Sequence, residues 1–581
     1  MNYKLYENSL NDTEQAIETV LLNRGIEDPE AYLNLDASCC NNYEDLNNID
    51  EAVKCFDRHF EEKNNIAILV DCDPDGYTSA AAMYNYIKRL DPDYPVQYII
   101  HNNNKAHGLS KMGKGDFDLP KETKLFIIPD AGSNDVKELN ELVGNGIDCI
   151  CLDHHEIEDW VGETNAIIVN NQASEDYTCK DFSGVGVVYE FMRALDDYYL
   201  YDYADDFLDL VAFGNISDVM SAKNYQTRYY MEKGISKINN KFLKALDKAQ
   251  EFSTKGEINI HNIAWYWTPI CNGMIRIGSY EERELLFRAF IETDEIFEYK
   301  KRNGAIVDED IYTRAARLCK NAKSRQDKMR DNLCEELKAD VNFDDKVVIL
   351  AAPDDADHGI VGLAAMRLAD WADRPCILLR DQGDGTFSGS ARNCNNSPVE
   401  DFKELVNSTR LFEFAQGHPG AFGCSIYEEN LLEAQITLND ALDNIEYDDT
   451  IYCDFILDSN DITGDFVQTI DNSRWLYGNG IEEPMIALEN VVAPLDTCTV
   501  MGKEANAMAF TYGGIKYCKF KCKDDDDLLL FANGCTADEL TLNVVGKLSI
   551  NEYRDQVTIQ FIIEDYEITS MDNEEIYTDE I

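Results

Sequence analysis

The chain lacks the features that would hold it in a membrane or attach it to nucleic acid through overall charge. No run of about 18 apolar residues occurs, so no transmembrane helix is expected. Basic residues are outnumbered, because 52 Lys and Arg stand against 110 Asp and Glu, which gives a formal charge of −58. This charge excludes a protein held on nucleic acid by bulk positive charge and argues against an anionic membrane surface. Local basic pockets and metal-mediated contact with phosphate remain compatible with it.

A signal peptide and a regular cysteine pattern are absent as well. The first ten residues are polar, without the apolar segment of a signal peptide, and 18 cysteines are scattered over the chain. Reduced thiols in a cytoplasmic protein are the simplest interpretation. The length of 581 residues predicts roughly three to four domains of ~150 residues each. Internal repeats and low-complexity linkers are not found, and a hydrophobic fraction of 44% supports packed interiors.

Short β-rich runs alternate with helical segments in the first half of the chain. Strands are predicted at 66–71, 96–100, 125–130, 147–155 and 166–170. This alternation predicts an α/β fold with a parallel sheet, in which ligands lie at the carboxyl ends of the strands. Asp71, Asp130 and the run Asp153-His154-His155 stand where predicted strands end. Residues far apart in sequence are therefore expected to meet at one edge of the sheet.

Further segments complete the predicted organisation. A second α/β pattern begins near residue 346, alternating strand candidates toward the C-terminus indicate a small β-barrel, and the DDDD run at 524–527 is interpreted as a solvated loop. The predicted units are an N-terminal helical segment (1–60), a first α/β domain (61–283), a long charged helical connector (284–340), a smaller α/β domain (341–440), the barrel (450–569) and a loose acidic tail (570–581).

The loop DCDPDG places Asp71, Asp73 and Asp75 at alternate positions, followed by Gly76, which allows a tight turn. An EF-hand is excluded, because Ala82 stands at its twelfth position and a strand precedes the loop. Adding Asp130, His154 and Asp218 gives a mixed set of carboxylates and imidazole. Such a set suits Mn²⁺ or Mg²⁺. Two ions about 3.5–4 Å apart would activate water and stabilise the oxyanions of a phosphoester displacement.

Four motifs in this order resemble the DHH phosphoesterase superfamily: DCDPDG, the strand end at Asp130, LDHH (152–155) and NISD (215–218). The resemblance implies the roles of the site residues. Its metal ligands match Asp71, Asp73, Asp130, His154 and Asp218. Asp75 and Asp153 match supporting carboxylates of the motifs, and His155 matches a residue at the scissile phosphate.

The rest of the chain resembles RecJ exonucleases within that superfamily. The matching stretches are PICNGMIR (269–276), DHGIVGLAAMRLA (357–369), GSARN (389–393), GHPGAFG (417–423), LYGNGIEEP (476–484) and the segment 544–566. They imply a substrate-binding DHHA1 domain at 341–440 and an oligonucleotide-binding (OB) barrel at 450–569. The resemblance implies 5′-to-3′ degradation of single-stranded DNA, in DNA recombination, repair or replication.

The second α/β domain also carries donors suited to phosphate. Ser390, Arg392 and His418 stand beside small residues, which let a phosphate backbone approach closely, and Arg grips phosphate bidentately. Arg276 is a further candidate for holding a phosphate. A structural turn role for His418 and a domain-interface ion pair for Arg276 are the alternatives.

The chain departs from RecJ at one motif. RecJ proteins commonly carry P-x-R-x-x-x-G-Y-G-L after the second strand, and here Asn102 replaces the Arg and His107 replaces the Tyr. That Arg helps recognise the 5′ end of the strand in the family. Its replacement therefore bears on the polarity and end-dependence of cleavage.

Two other functions are compatible with the sequence. Shorter DHH–DHHA1 proteins hydrolyse small oligonucleotides or nucleotides, and a degenerate acidic DHH protein serves as a replication scaffold. The predicted barrel and the length favour a polymer, and the complete set of ligands disfavours a scaffold. The expected partners are single-stranded DNA and a single-strand-binding protein or helicase, with no membrane, and a monomer is expected.

Overall fold

The computed structural model describes residues 1–572, except 8, 104–105, 158–161, 395–396, 398, 444–449, 503, 524, 535–536 and 554–555. Residues 573–581 of the predicted acidic tail and Asp524 of the predicted solvated loop lie outside the described residues. Within the described part of the chain, no helix combines the length and the apolar character needed to cross a membrane.

The N-terminal segment is built from short elements: β1 (Tyr3–Leu5), α1 (Ala16–Asn23), α2 (Pro29–Leu33) and α3 (Ile49–Glu61). The segment divides between two cores. Val20 and Leu21 of α1 pack with Phe455 and Phe466 of the C-terminal domain, whereas Phe56 of α3 packs under the sheet of the first α/β domain. Residues 1–60 therefore tie two domains together.

A five-stranded parallel sheet forms the first α/β domain. Its strands are β2 (Asn65–Val70), β3 (Val96–Ile100), β4 (Thr123–Pro129), β5 (Asp148–Asp153) and β6 (Ile167–Asn170), in the order β3-β2-β4-β5-β6. The predicted parallel α/β fold is confirmed. From β2 the chain passes to β3 on one side of it and then crosses over to β4 on the other side. The carboxyl ends of β2 and β4 therefore form a switch point, where ligands bind in such sheets.

Helices cover both faces of this sheet, as buried parallel strands require. They are α4 (Pro74–Leu90), α5 (Val136–Gly144), α6 (Gly184–Tyr199), α7 (Leu208–Ser217), α8 (Tyr225–Ser236), α9 (Lys241–Thr254), α10 (Ile260–Asn262), α11 (Thr268–Ile277) and α12 (Tyr280–Phe290). On one face, Leu139 and Leu142 of α5 pack on Phe126 and Ile128 of β4. Helices α4, α6 and α7 lie on the opposite face.

The connector is not helical throughout, which corrects the prediction for 284–340. Helix α12 ends at Phe290, and an antiparallel hairpin follows, β7 (Ile296–Lys300) and β8 (Ile306–Asp310), before α13 (Ile311–Leu337). The interruption has a local cause. Glu292 and Asp294 adopt the left-handed conformation, with φ of 58° and 55°, and the Asp310 side chain caps a new helix by accepting from the backbone N–H of Thr313 at 2.7 Å.

The second α/β domain has a mixed sheet. Its strands are β9 (Val348–Ala351), β10 (Cys376–Asp381), β11 (Thr386–Arg392), β12 (Phe412–His418) and β13 (Ala421–Tyr427), in the order β12-β13-β11-β10-β9, with helices α14 (His358–Ala372), α15 (Phe402–Ser408) and α16 (Leu431–Asp443). Only β9 and β10 are parallel among these described pairs. Helix α14 packs on one face and α16 on the other.

The C-terminal domain is one seven-stranded mixed sheet with two helices, accompanied by β14 (Ile451–Cys453). The sheet contains β15 (Phe455–Asp458), β16 (Ile486–Pro494), β17 (Thr499–Met501), β18 (Ala507–Tyr512), β19 (Ile515–Lys519), β20 (Glu539–Tyr553) and β21 (Gln556–Asp572), and the helices are α17 (Gly464–Asn472) and α18 (Asp527–Ala532). The strand order is β15-β16-β20-β21-β19-β18-β17. Register shifts between Leu488 and Val491 on β16, and on β20, bend the sheet around its core.

The N-terminal segment is fixed to this last domain by a buried ion pair. Strand β1 pairs in parallel with β14. Nearby, the guanidinium of Arg24 donates to both oxygens of Asp454, at 2.9 and 3.1 Å, and the side chain of Asp454 is 0% exposed.

Replacing Asp454 with Ala is expected to lower the free energy of unfolding by about 3–5 kcal/mol, because buried Arg24 would lose the carboxylate that accepts from both of its terminal nitrogens. Denaturant unfolding followed by circular dichroism measures the change. Asp91→Ala is the matched control, since it breaks an exposed pair with Lys63 and is expected to cost less than about 1 kcal/mol. Equal, small losses for both variants would contradict the prediction.

Candidate metal centre

The loop between β2 and α4 supplies the first group of carboxylates. Asp71 follows β2 directly, and Asp73 is the N-cap of α4, accepting from the backbone N–H of Gly76 at 2.9 Å. Gly76 lies inside α4 rather than in a turn, which corrects its predicted role. A Cβ at this position would lie 2.6 Å from the Cβ of Asp71, so the glycine allows the helix to approach the aspartate.

Asp75 points to the start of a second helix. Its buried carboxylate accepts from the hydroxyl of Ser183 at 3.0 Å and from the backbone N–H groups of Gly184 and Val185 at 2.7 and 3.2 Å. Burial, with the charge of Asp73, raises the pKa of Asp75 to about 7. Asp75 therefore joins the first turns of α4 and α6 beneath the carboxylates.

Asp130 lies at the centre of the site. It follows β4 in the left-handed conformation, with φ of 61°, and its backbone N–H donates to the carbonyl of Leu152 at 2.8 Å. The side-chain Oδ1 is buried and accepts no hydrogen bond from the described residues. Burial, followed by the charges of Asp75 and Asp73, raises the pKa of Asp130 well above its ordinary value. A buried carboxylate oxygen without a donor fits a cation.

His154 and Asp218 close the opposite side. The Nε2 atom of His154 lies 3.2 Å from Oδ1 of Asp130 and 3.4 Å from Oδ2 of Asp218. Burial, with the charge of His155, lowers the pKa of His154 to about 3, so the ring is neutral and has a lone pair to offer a metal. Asp218 stands at the C-terminal end of α7, and burial also raises its pKa well above the ordinary value.

Asp153 and His155 form a separate hydrogen-bonded pair. Asp153 accepts from Nδ1 of His155 at 2.8 Å and from the backbone N–H groups of Ser133 and His154 at 2.9 and 2.8 Å. Burial opposes the ionisation of Asp153, but the hydrogen bond and charge of His155 hold its pKa below the ordinary range. Because Nδ1 is engaged, Nε2 of His155 is the nitrogen left to face a ligand.

The ligand atoms of these residues fall into overlapping groups, each with all its atoms within 4.8 Å of one another. One group is Asp71, Asp73 and Asp130; the others are Asp130, His154 and His155, and Asp75, His154 and Asp218. Asp130 thus belongs to two groups. Oxygen ligands with one or two imidazoles suit Mn²⁺ or Mg²⁺. Crowded carboxyls with raised pKa values gain most from a cation, since it removes their mutual repulsion.

Two histidines that the sequence reasoning did not place in the metal centre contact its first aspartate. His107 places Nδ1 2.9 Å from Oδ2 of Asp71, and buried His101 places Nε2 3.6 Å from Oδ1. The charge of Asp71 raises the pKa of His107 to about 10. His101 directly follows β3, so the strand-end argument applied to that strand would have identified it.

The departure from the RecJ motif has a structural consequence. The side-chain amide of Asn102 donates to the backbone carbonyl of Asp116, and the backbone carbonyl of Asn102 accepts from Arg283 at 2.7 Å. Position 102 therefore supplies no cation to the site. His107, where the family carries Tyr, lies with its ring centroid 4.6 Å from that of His155.

The four predicted phosphate-binding residues lie on the second α/β domain and the helix facing it. A Cβ on Gly362 of α14 would lie 2.8 Å from Arg392 and 3.3 Å from Ser390, and a Cβ on Gly359 would lie 2.7 Å from the carbonyl of Arg276. His418 is exposed on β12. It is separated from Arg392 on β11 by the intervening strand β13, whose Ala421 pairs with both residues. Burial lowers the pKa of Arg392. The structure groups Ser390 with Arg392 at α14, and His418 stands apart.

Comparison with protein families identifies two parts of the chain. The model of the DHH family, N-terminal domain, matches residues 65–215, and that of the RecJ OB domain matches residues 453–565. These matches, with the sheet and its carboxylate edge, define the class as a DHH-superfamily protein with an OB domain, and the predicted C-terminal OB-type domain is confirmed.

Relatives and solved structures extend the match to the whole chain. A Bacillus subtilis (strain 168) protein named "Putative SPbeta prophage-derived single-strand DNA-specific exonuclease YorK" is 36% identical, over 96% of this chain and 97% of its own. "Single-stranded-DNA-specific exonuclease RecJ" of the same organism is 25% identical, over 94% of this chain and 67% of its own. The structure of RecJ from Thermus thermophilus, crystallised with Mn²⁺, matches with a TM-score of 0.73 and 18% identity, over 99% of this chain and 80% of its own. The chain belongs to the RecJ family of the DHH superfamily.

Proposed function

We propose that the protein is a metal-dependent exonuclease that degrades single-stranded DNA from 5′ to 3′ in DNA recombination, repair or replication. The observation that carries the proposal is the convergence of Asp71, Asp73, Asp130, His154 and Asp218 at the switch point of the parallel sheet. Similar chains named as single-strand-specific exonucleases, and the OB domain, support a single-stranded polymer as the substrate.

These five residues are the proposed ligands of two divalent cations, Mn²⁺ or Mg²⁺. RecJ from Thermus thermophilus has been crystallised with each of these ions. When bound, such ions lower the pKa of a water molecule and stabilise the oxyanions of a phosphodiester displacement. Asp130, common to two groups of ligand atoms, would be one of the residues that hold these ions.

The remaining side chains orient the ligands and the substrate. Asp153 fixes the ring of His155, so that Nε2 can donate to a non-bridging oxygen of the scissile phosphate. Asp75 holds the ends of α4 and α6 together beneath the centre. On the second α/β domain, Arg276, Ser390, Arg392 and His418 are the proposed grip on neighbouring phosphates.

A monomer remains the proposed oligomeric state. The described cysteines are free thiols, which supports a reducing, cytoplasmic compartment. A single-strand-binding protein or a helicase remains the proposed macromolecular partner, since either delivers unpaired strands. The net charge of −58 makes a local substrate channel necessary, because the whole protein repels DNA.

Excess Mn²⁺ is expected to stabilise the purified protein against unfolding, by about 2.7 kcal/mol when the free ion is at about 100 times its Kd. The physical reason is that the ion binds the crowded carboxylates of the folded state and not the dispersed ones of the unfolded chain. Thermal melts with Mn²⁺ and with EDTA measure the shift. Asp73→Asn should remove most of it, whereas Asp91→Asn on the surface should leave it unchanged.

Digestion of end-labelled single strands tests the function. The 5′-labelled strand should release its label at once as a mononucleotide with Mn²⁺, while the 3′-labelled strand shortens progressively, and blunt duplex and EDTA controls stay intact. Early release from the 3′ label would reverse the polarity. Hydrolysis of dinucleotides without attack on the long strand would favour the small-oligonucleotide phosphodiesterase. Absence of both hydrolysis and Mn²⁺ binding by calorimetry would favour the scaffold.

A further inference from the structure

A cavity of about 480 Å³ opens where the DHH domain meets the OB domain. It adjoins the metal centre along the chain, because Ser217 and Val219, the neighbours of Asp218, both line it. The other apolar walls come from both domains and include Ile216, Met220, Trp265, Pro269, Tyr477 and Ile481. A space of this size accommodates a planar aromatic group.

Two apolar side chains at this cavity are exposed to solvent. Trp265 is 68% exposed and belongs to a π-helical turn, Ile263–Trp267, a geometry found often at functional sites. Val219 is 61% exposed and has a φ of 59°, a conformation that β-branched residues rarely adopt. A wide aromatic face and a strained valine at one opening are unfavourable in the free protein, and a ligand that covers them relieves the exposure.

The charges at the cavity distinguish between kinds of ligand. Among the described residues, Glu482 and Glu483 line it together with a single cation, Lys547, so the lining keeps an excess of negative charge that disfavours an entering phosphate. Each glutamate forms an ion pair with a cationic side chain: Glu482 lies 3.3 Å from Nε of Arg24, and Glu483 lies 3.4 Å from Nζ of Lys547. The chemistry therefore favours an uncharged, planar, aromatic group inside the cavity, with any phosphate kept outside.

We propose that this cavity binds one unpaired nucleobase of a single-stranded nucleic acid, stacked on the indole of Trp265. The inference rests on the proposed function and adds a specific subsite to it. Because the end of α7 carries both Asp218 and the cavity wall, the stacked base belongs to a nucleotide close to the phosphate under attack. Stacking on an aromatic face is tolerant of base identity, as degradation of any sequence requires.

Substitution of Trp265 tests the subsite. With Ca²⁺ in place of Mn²⁺ to slow cleavage, Trp265→Ala is expected to bind a labelled oligothymidylate about 10- to 100-fold more weakly, measured by fluorescence anisotropy. Trp265→Tyr should stay within about 3-fold of the wild type, because tyrosine retains a stacking face. Phe252→Ala is the matched control, since Phe252 is 98% exposed on α9 and is not part of the cavity, and its affinity should not change.

A single abasic nucleotide, moved along the oligothymidylate, locates the base. Wild-type affinity should fall about 10-fold or more at one position only, and Trp265→Ala should show no such position. In Mn²⁺ the Ala variant should show the same loss as a raised KM with nearly unchanged kcat, and its Mn²⁺ affinity should equal that of the wild type.

Wild-type affinity in Trp265→Ala, or the same abasic profile in both proteins, would overturn the subsite while leaving the exonuclease intact. Failure of the wild type to degrade single strands, with a Trp265-dependent abasic profile, would instead overturn the proposed hydrolysis alone. Failure of the wild type to bind the oligothymidylate would overturn both.

Discussion

Asp130→Asn is expected to lower the rate of single-strand hydrolysis by about 10³-fold or more, because several kcal/mol of transition-state stabilisation depend on the metal centre. Asp130 belongs to two of the groups of ligand atoms, so one substitution removes a charged ligand from both groups. Asn is the suitable replacement, since it tolerates the left-handed backbone found here, with φ of 61°. Asn is also no larger than Asp, and Gly184 packs so closely against this side chain that a Cβ on the glycine would lie 2.6 Å from Oδ1 of Asp130.

Steady-state digestion of a labelled strand and Mn²⁺ calorimetry on the same preparation measure the effect. Asp209→Asn is the matched control: Asp209 is also a buried carboxylate, but it lies in the first turn of α7, at the opposite end of that helix from Asp218, and accepts from the backbone N–H groups of Asn239 and Asn240 at 2.7 and 2.6 Å. The control should lose stability and keep its activity per folded molecule. Full metal-dependent activity in Asp130→Asn would remove Asp130 from the mechanism.

His155→Gln is expected to reduce kcat by about 10²- to 10⁴-fold, the range for a positioned donor or acid at a reacting group. Its Nδ1 is held by Asp153 at 2.8 Å, which leaves Nε2 for the phosphate. Glutamine retains an N–H donor but cannot carry the imidazolium charge. Burial opposes that charge, yet the hydrogen bond to Asp153 keeps the pKa of His155 above its ordinary value.

Mn²⁺ affinity separates the two roles that His155 can have. If the residue acts on the phosphate, calorimetry should give nearly the wild-type Kd for Mn²⁺ while kcat falls. A parallel loss of metal affinity and activity would instead make His155 a ligand, which its position beside Asp130 and His154 allows. His59→Gln is a suitable control, since His59 is a buried histidine paired with Asp148 outside the centre.

Local patterns were sufficient for much of the fold and for the principal residues of the candidate site. Runs such as 66–71 and 125–130 predict buried parallel strands because they are apolar and rich in β-branched residues. The rule that ligands lie at strand ends then selected Asp71, Asp130 and His154 without any knowledge of contacts. It failed for His101 only because it was not applied to β3.

Side-chain orientation was not accessible in the same way. The role of Asp75 depends on Ser183 and Gly184, more than a hundred residues away, and the contact of His107 with Asp71 depends on how the segment after β3 returns over the sheet. The division of residues 1–60 between two cores is equally non-local, because Arg24 pairs with buried Asp454, which lies 430 residues further along the chain.

For the first α/β domain, the sequence by itself determined the strands, their parallel arrangement and the chemical character of the residues at their ends, because hydrophobic periodicity and residue type act over a few neighbouring positions. The tertiary structure alone decided which carboxylate is left without a donor, which histidine faces outward, and which surfaces of two domains enclose a cavity beside Trp265. These properties depend on distances between segments that are remote in the chain, and such distances are fixed only when the domains pack.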